Sequence, residues 1–365
     1  MQKPASKAVT PHDDLLDQSM ITAHVDAYLR DFFSHTIERA AKMDTRAAEL
    51  WSVIERVTLA GGKRLRPYLV MLAYQAYGGR ATDTIIPVAV AQELLHVSLL
   101  MHDDIIDKDF MRHGQLNVAG MMREQYVELA STNEPIHYAN GAALLGGDLL
   151  IGAAHHIIAV STLSDAHKLT ALNELDSAIF CVGAGEFLDM ESVLLPFAQT
   201  DALHIIDLKT AHYSCIVPLT SGARLAGADM TEITLLERLG AALGAAFQLA
   251  DDMLGVYGDE AVTGKSTLSD IREGKHTYLM EQAMVLCSPA EKRSLMQALG
   301  NDKLTHKDLA GIRRLLEECG AKDTTLKQIK KFSDTAIHEL AGLTVSDQAK
   351  AAFMNVINRA AKRAV

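Results

Sequence analysis

A chain of 365 residues that is 48% hydrophobic yet only 5% aromatic, with eight prolines, favours helices over sheets. Its formal charge of −11 excludes a general nucleic-acid binder, and four scattered cysteines without a C-x-x-C pair exclude a zinc centre or a disulfide frame. No apolar signal core follows Met1, and Gln92, Glu93, His96 and Gln248 interrupt the longest apolar stretches, so the reading is a cytoplasmic protein without a membrane span.

Residues 1–18 are polar and proline-containing, which predicts a flexible arm. Residues 19–365 show no fixed repeat and no linker, so they read as one all-helical domain. Apolar positions recur at helical spacing from Val25 to Ile37 and from Leu50 to Val57, with a break at Met43-Asp44-Thr45. Gly61-Gly62-Lys63-Arg64-Leu65-Arg66-Pro67 follows. Glycines free the backbone, the cations suit phosphate, and proline fits the first turn of a helix. An anion site at a helix start is the reading, against the plainer alternative of a solvated basic turn.

A helix over 68–77 and a longer one over 84–107 are expected next, the second ending in His102-Asp103-Asp104-Ile105-Ile106-Asp107. Asp103 and Asp107 fall one turn apart on the same helix face, with Asp104 beside them. Carboxylates crowded at the end of an apolar helix repel one another, and a hard divalent cation relieves that. Mg²⁺ shares its shell with substrate phosphates, so the cluster points to a phosphorylated substrate. His96 lies two turns back on roughly the same face, where an imidazolium could meet a phosphate. Arg112, just past the cluster, can return to the same phosphate.

Residues 131–140 read as a loop by composition, and 141–159 as a helix whose Gly146-Gly147 and Ala153-Ala154 allow close packing. Helical patterns cover 169–190 and 201–226. The latter carries Lys209-Thr210 in an apolar setting, and Pro218, which should kink or end it. A long apolar helix over 231–256 carries Phe247-Gln248 and a second acidic patch, Asp251-Asp252. Gly255 stands where a third carboxylate would repeat the first pattern. Gly264-Lys265 and Gly274-Lys275 follow on a stretch read as flexible. Gly258 stands six residues before Gly264, one too many for a P-loop, so ATP hydrolysis is not indicated. Amphipathic helices fill 276–365, and Arg359, Lys362 and Arg363 complement a helix C-terminus. One arrangement accounts for these pieces. Two acidic patches face each other across the mouth of a bundle, Mg²⁺ bridges them to a diphosphate, and Leu95 and Leu99 line an apolar slot below.

Taken in order, these motifs resemble the trans-prenyl diphosphate synthases, which elongate isoprenoid chains head to tail. The resemblance covers about residues 50–340. It implies an all-α, single-domain helical bundle of the isoprenoid synthase type around a deep central cavity. An allylic diphosphate (dimethylallyl, geranyl or farnesyl) would bind through three Mg²⁺ ions on Asp103, Asp107 and Asp251. Arg112, Lys209 and Lys265 would touch its phosphates, and Lys275 would be a further cation of that loop. Asp104 and Asp252 would support the metal ligands. Isopentenyl diphosphate would bind Lys63, Arg66 and His96, while Thr210, Phe247 and Gln248 would steady the carbocation and the second substrate. A homodimer is implied in the same way, and a peripheral membrane contact for the lipidic product is left open.

Two positions depart from the family pattern. His113 replaces the usual second arginine after the first acidic motif, which implies a weaker or pH-sensitive isopentenyl site. Gly255 replaces the last aspartate of the second motif, which implies a third metal held by Asp251 with water in the missing place. Ser98 and Leu99, five and four residues before Asp103, occupy the level where the family sets the floor of its slot. Neither is aromatic, which implies a product of C20 or longer. The rivals are a terpene cyclase, which needs no Gly61-to-Pro67 motif, and a non-catalytic partner subunit, which would have lost aspartates or lysines.

Overall fold

Side-chain caps mark where the helices begin, in the computed structural model that describes residues 17–112, 114–126, 134–260 and 266–361. Asp17 accepts from Met20 N and opens α1 (Gln18–Ala41), so Gln18 belongs to a helix and not to the expected arm. Asp44 caps α2 (Thr45–Leu59) in the predicted break, and Ser164 caps α7 (Asp165–Ser192). Asp229 accepts from Thr231 N and Glu232 N at the start of α10 (Met230–Tyr257). Each such cap satisfies backbone donors that the first turn leaves unpaired.

Between these lie α3 (Leu65–Ala76), α4 (Thr82–Ile106), α5 (Val118–Tyr126), α6 (Glu134–Val160), α8 (Ala202–Ile206) and α9 (Val217–Leu225). After α10 come α11 (Ser269–Arg272), α12 (Tyr278–Leu286), α13 (Pro289–Ala298), α14 (His306–Glu318), α15 (Ala321–Gly342) and α16 (Asp347–Ala361). The described residues contain one small sheet. In it β1 (Met111–Arg112) pairs antiparallel with β2 (Gln115–Leu116), Met111 opposite Leu116. Periodicity did not predict this hairpin, and it folds Arg112 back toward the end of α4.

Burial follows the apolar stripes. One cluster gathers α1 to α4, α6, α7, α9 and the first half of α10. A second lies under the C-terminal half of α10 and α11 to α14, and Phe332 on α15 touches both. α4 and α6 pack at close range because Gly146 and Gly147 face Met101 and His102. A Cβ on Gly146 would lie 2.5 Å from Met101 Cε. α4, α6 and α10 are each long and apolar enough to cross a membrane, so composition does not exclude a span as expected from the interrupting polar residues. In this fold α4 and α10 are core helices, with 72% and 61% of their most apolar windows buried; for α6 the figure is 39%, which leaves apolar surface outside.

Two expectations are corrected. Residues 134–140 are the start of α6, not loop. Pro135 fits the first turn of a helix, and Ala139 is fully buried against the core, so tertiary packing overrides the polar composition. Pro218 neither ends nor breaks its helix. Residues Asp207–Ile216 form a π-helix between α8 and α9, and Pro218 sits in the first turn of α9 where the widened pattern gives way to the ordinary one. Glycines make room for this segment. Gly185 on α7 abuts the Lys209 backbone, and a Cβ on Gly244 would lie 2.5 Å from Ala211 Cα. The π-helix therefore sets where Lys209, Thr210 and Tyr213 point.

Candidate active site

α4 delivers Asp103, Asp104 and the C-cap Asp107. Their charges are already met by cations from three other parts of the chain. Arg112 donates through Nε and Nη2 to Asp104 Oδ1 at 2.9 and 2.6 Å and through Nη2 to Asp103 Oδ2 at 3.0 Å. Lys209, on the π-helix, reaches Asp103 at 3.5 Å. Lys275 reaches Asp107 Oδ2 at 3.0 Å across 168 residues of sequence. Burial would raise the Asp103 carboxyl, but Lys209, Arg112 and Lys275 outweigh it and hold the group below its usual range. Asp104 sits deeper, and there burial wins over Arg112 and pushes the carboxyl up to about 6.

The structure adds acids that sequence reasoning missed. Glu186 and Asp189, on the inner face of α7, lie 2.9 and 2.6 Å from Lys209 Nζ. Burial works against the Lys209 charge, but Asp189, Asp103 and Glu186 hold it protonated. The signal was present: two carboxylates three apart within an apolar helix, much as in the first motif. Glu273 likewise joins Lys275 at 2.7 Å.

α10 delivers the second patch. Thr210 Oγ1 donates to Gln248 Oε1 at 2.9 Å, and Gln248 Nε2 donates to Asp252 Oδ1 at 2.7 Å. This relay links the π-helix to the acidic end of α10. Burial, then Asp270, Asp251 and Asp189, push Asp252 up to about 8. Asp189 therefore faces both Lys209 and Asp252, and Lys275 faces both Asp107 and Asp270. Through these shared neighbours the two acidic patches lie near one another. Beside Gly255, where water on a third metal was expected, the structure places a carboxylate. A Cβ there would collide with Oδ2 of Asp270, whose carboxylate fills the space from α11.

A second basic site lies beside α3. Arg66 Nη2 donates to Tyr213 Oη at 2.9 Å and to Ser214 Oγ at 2.6 Å, and its guanidinium lies over the Tyr213 ring at 4.5 Å. Its buried Nε has no partner among the described residues. The His96 ring faces Tyr213 at 6.1 Å between centroids. Lys63 is exposed on the loop before α3, whose N-terminus carries no side-chain cap. Tyr213 and Ser214 escaped the sequence reading because the π-helix, not an α-helical register, turns them toward Arg66. Phe247 packs half-buried against the main core. Ser98 is fully buried, with an Oγ that has no partner among the described residues, and Leu99 is half-buried one position on. His113 and Lys265 lie outside the described residues.

The donor set suits a hard cation. All the candidate ligands are carboxylate oxygens, yet among the described residues no three acids, imidazoles or thiols gather closely enough to hold a metal alone. Mg²⁺ takes such oxygen ligands and completes its shell with water and phosphate oxygens.

The family description for polyprenyl synthetases matches residues 47–316. A geranylgeranyl diphosphate synthase of Sulfolobus acidocaldarius is 30% identical over 295 residues, 80% of this chain and 84% of that protein. A geranylfarnesyl diphosphate synthase of Aeropyrum pernix is 29% identical over 345 residues, 91% and 96% of the two chains. The crystal structure of a geranylgeranyl pyrophosphate synthase from Corynebacterium glutamicum, complexed with isoprenyl diphosphate and magnesium, superposes with a TM-score of 0.89 at 26% identity. It covers 95% of this chain and all of that one.

Proposed function

This chain belongs to the polyprenyl synthetase family, and on that premise we propose that it is a trans-prenyltransferase. It extends an allylic diphosphate with isopentenyl diphosphate to a linear product of C20 or longer. The observation that supports this reading is a pair of separate clusters of cationic side chains, each suited to an anion. One, built on Asp103, Asp107 and Asp251, combines carboxylates with Arg112, Lys209 and Lys275. The other, with Lys63, Arg66, His96 and Tyr213, has cations and aromatic rings, and among the described residues Arg66 donates to hydroxyls rather than to carboxylates. A cyclase, which takes one diphosphate, has no use for the second site.

Asp103, Asp107 and Asp251 would hold Mg²⁺, three ions with substrate bound, with Asp104 and Asp252 behind them. When bound, the metal supplies Lewis-acid neutralisation of the diphosphate charge. The protein's part is an exchange of partners. Lys209, Lys275 and Arg112 leave their carboxylates for phosphate oxygens as the diphosphate arrives, and Lys265 joins them. The allylic C–O bond then breaks toward a leaving group whose charge is already met. The π electrons of isopentenyl diphosphate, oriented by Arg66, Lys63 and His96, attack the allylic cation. A proton leaves the new C–C adduct for an oxygen of the departed diphosphate. Gln248, fixed between Thr210 and Asp252, would stand beside the cation and steady it, and the apolar walls would exclude water.

We also propose a homodimer. α7 carries Phe180, Phe187 and Met190, seven and three residues apart, and Leu194 follows just past its end; all are exposed, Phe180 to 77%. α6 adds Leu145 and Leu149. A second copy of this face would cover both.

The reaction is tested by supplying labelled isopentenyl diphosphate and Mg²⁺ with and without an allylic diphosphate. Label should enter a longer prenyl chain only with the starter present, and chelation should stop it. Label entering no product with any starter counts against the reading. Asp270 gives a sharper local test. Asp270→Asn should weaken Mn²⁺ binding to the enzyme–diphosphate complex by about tenfold, followed by electron paramagnetic resonance of free Mn²⁺. Gly255→Asp should restore it in an Asp270→Ala background, where the atom that a Cβ at position 255 would meet has been removed. Unchanged Mn²⁺ affinity in Asp270→Asn would remove Asp270 from the metal's surroundings.

A further inference from the structure

Three cations open α3, but only two face the site. Lys63 is exposed and Arg66 is half-buried, while Arg64 turns inward with its side chain 2% exposed. All three guanidinium nitrogens are engaged. Nε donates to Asp26 Oδ1 on α1 at 2.9 Å, Nη1 to Glu93 Oε1 on α4 at 2.7 Å, and Nη2 to the Thr58 carbonyl at the end of α2 at 2.8 Å. One side chain thus ties three helices to the loop. The backbone there is strained. Gly61 and Gly62 have φ of 121° and 141°, and Arg64, which is not glycine, has φ of 43°. A left-handed residue with a Cβ is unfavourable and persists only where its surroundings over-determine it. Here the guanidinium fork does so. Gln18 Nε2 adds a fourth hold by donating to Lys63 O at 2.7 Å.

We propose that Arg64 is a positioning residue for the homoallylic diphosphate. It pins the left-handed turn that sends Lys63 outward and starts α3, and so fixes Lys63 and Arg66 relative to each other. It also cancels the carboxylates of Asp26 and Glu93, which would otherwise repel a phosphate from beneath the loop. The inference rests on the reading of Lys63, Arg66 and His96 as the isopentenyl diphosphate site. Arginine is required over lysine because three diverging acceptors must be met in one plane.

The test compares Arg64→Lys, Glu93→Gln and, as a reference, Arg66→Ala. Binding of isopentyl diphosphate, which lacks the reacting double bond, is measured by calorimetry without metal, alongside KM for both substrates and thermal stability. Glu93→Gln keeps an acceptor for Nη1 and guards against a variant that does not fold. Arg64→Lys should weaken isopentyl diphosphate about tenfold or more, the loss of one charge-assisted hydrogen bond from the anchor. Its KM for the allylic diphosphate should stay within about twofold, and Glu93→Gln should show the same selectivity. A fall in thermal stability with both substrates affected alike, or with neither affected, overturns the proposal. Arg66→Ala separates the two levels. If it too leaves isopentyl diphosphate binding unchanged, the reading of the loop as that site fails, whatever Arg64 does.

Discussion

Replacing Asp103 by asparagine is expected to lower kcat for chain elongation on the order of a thousandfold while leaving the fold intact. Asparagine keeps the shape of the side chain and an oxygen able to accept from Arg112 Nη2, now at 3.0 Å from Oδ2. What it loses is the charge that Lys209, Arg112 and Lys275 share. Two effects follow. The metal loses a ligand at the point where the leaving diphosphate must be neutralised. The freed cations also settle more firmly on Asp104, Glu186 and Asp189, away from the phosphate. Stability at neutral pH should fall modestly, because the cations that hold the Asp103 carboxyl ionised lose one of their partners. The check pairs single-turnover kinetics with isopentyl diphosphate binding: turnover should collapse, while the second site, on a different part of the bundle, binds as before. Activity within tenfold of the parent would mean that ionisation does not depend on the first acidic patch.

Ser98→Phe is expected to shorten the product. Ser98 is wholly buried on α4, one turn and a little below Asp103, and its hydroxyl has no partner among the described residues. A serine that makes no hydrogen bond contributes little to the core, so its small volume is its clearest property. The substitution replaces one hydroxyl oxygen by the six carbons of a phenyl ring, and overpacking of this kind typically costs about 1–3 kcal/mol. Where the space beneath the mouth belongs to a growing hydrocarbon chain, the ring is accommodated by stopping that chain early. Sizing the dephosphorylated products of the variant should show a shift of at least one isoprene unit. An unchanged product would place the floor on other residues, such as those of α6 opposite Met101.

Much of the site was legible because charge in an apolar helix is conspicuous. Asp103 to Asp107 and Asp251-Asp252 stood out against α4 and α10, and the glycine-bracketed cations stood out before α3. The helix starts were legible too, since Asp44, Ser164 and Asp229 are caps by type and place. What was not legible depends on contacts between distant segments. The π-helix over 207–216 exists because Gly185, Gly240 and Gly244 let α7 and α10 press against its backbone, and no local pattern announces that. Its altered register brings Tyr213 and Ser214 to Arg66. Arg64 looked like a third phosphate cation and is a buried tie between helices. Asp270 fills the space beside Gly255 from a separate short helix, so a position that read as a loss in the sequence is met by a carboxylate in the fold.

The most direct measurement is the identity of the product. Purified protein with Mg²⁺, isopentenyl diphosphate and farnesyl diphosphate should yield a linear all-trans prenyl diphosphate of C20 or longer, seen after dephosphorylation as a ladder ending at one length. A cyclic hydrocarbon formed from farnesyl diphosphate alone, or elongation only when a second protein is added, would contradict the account.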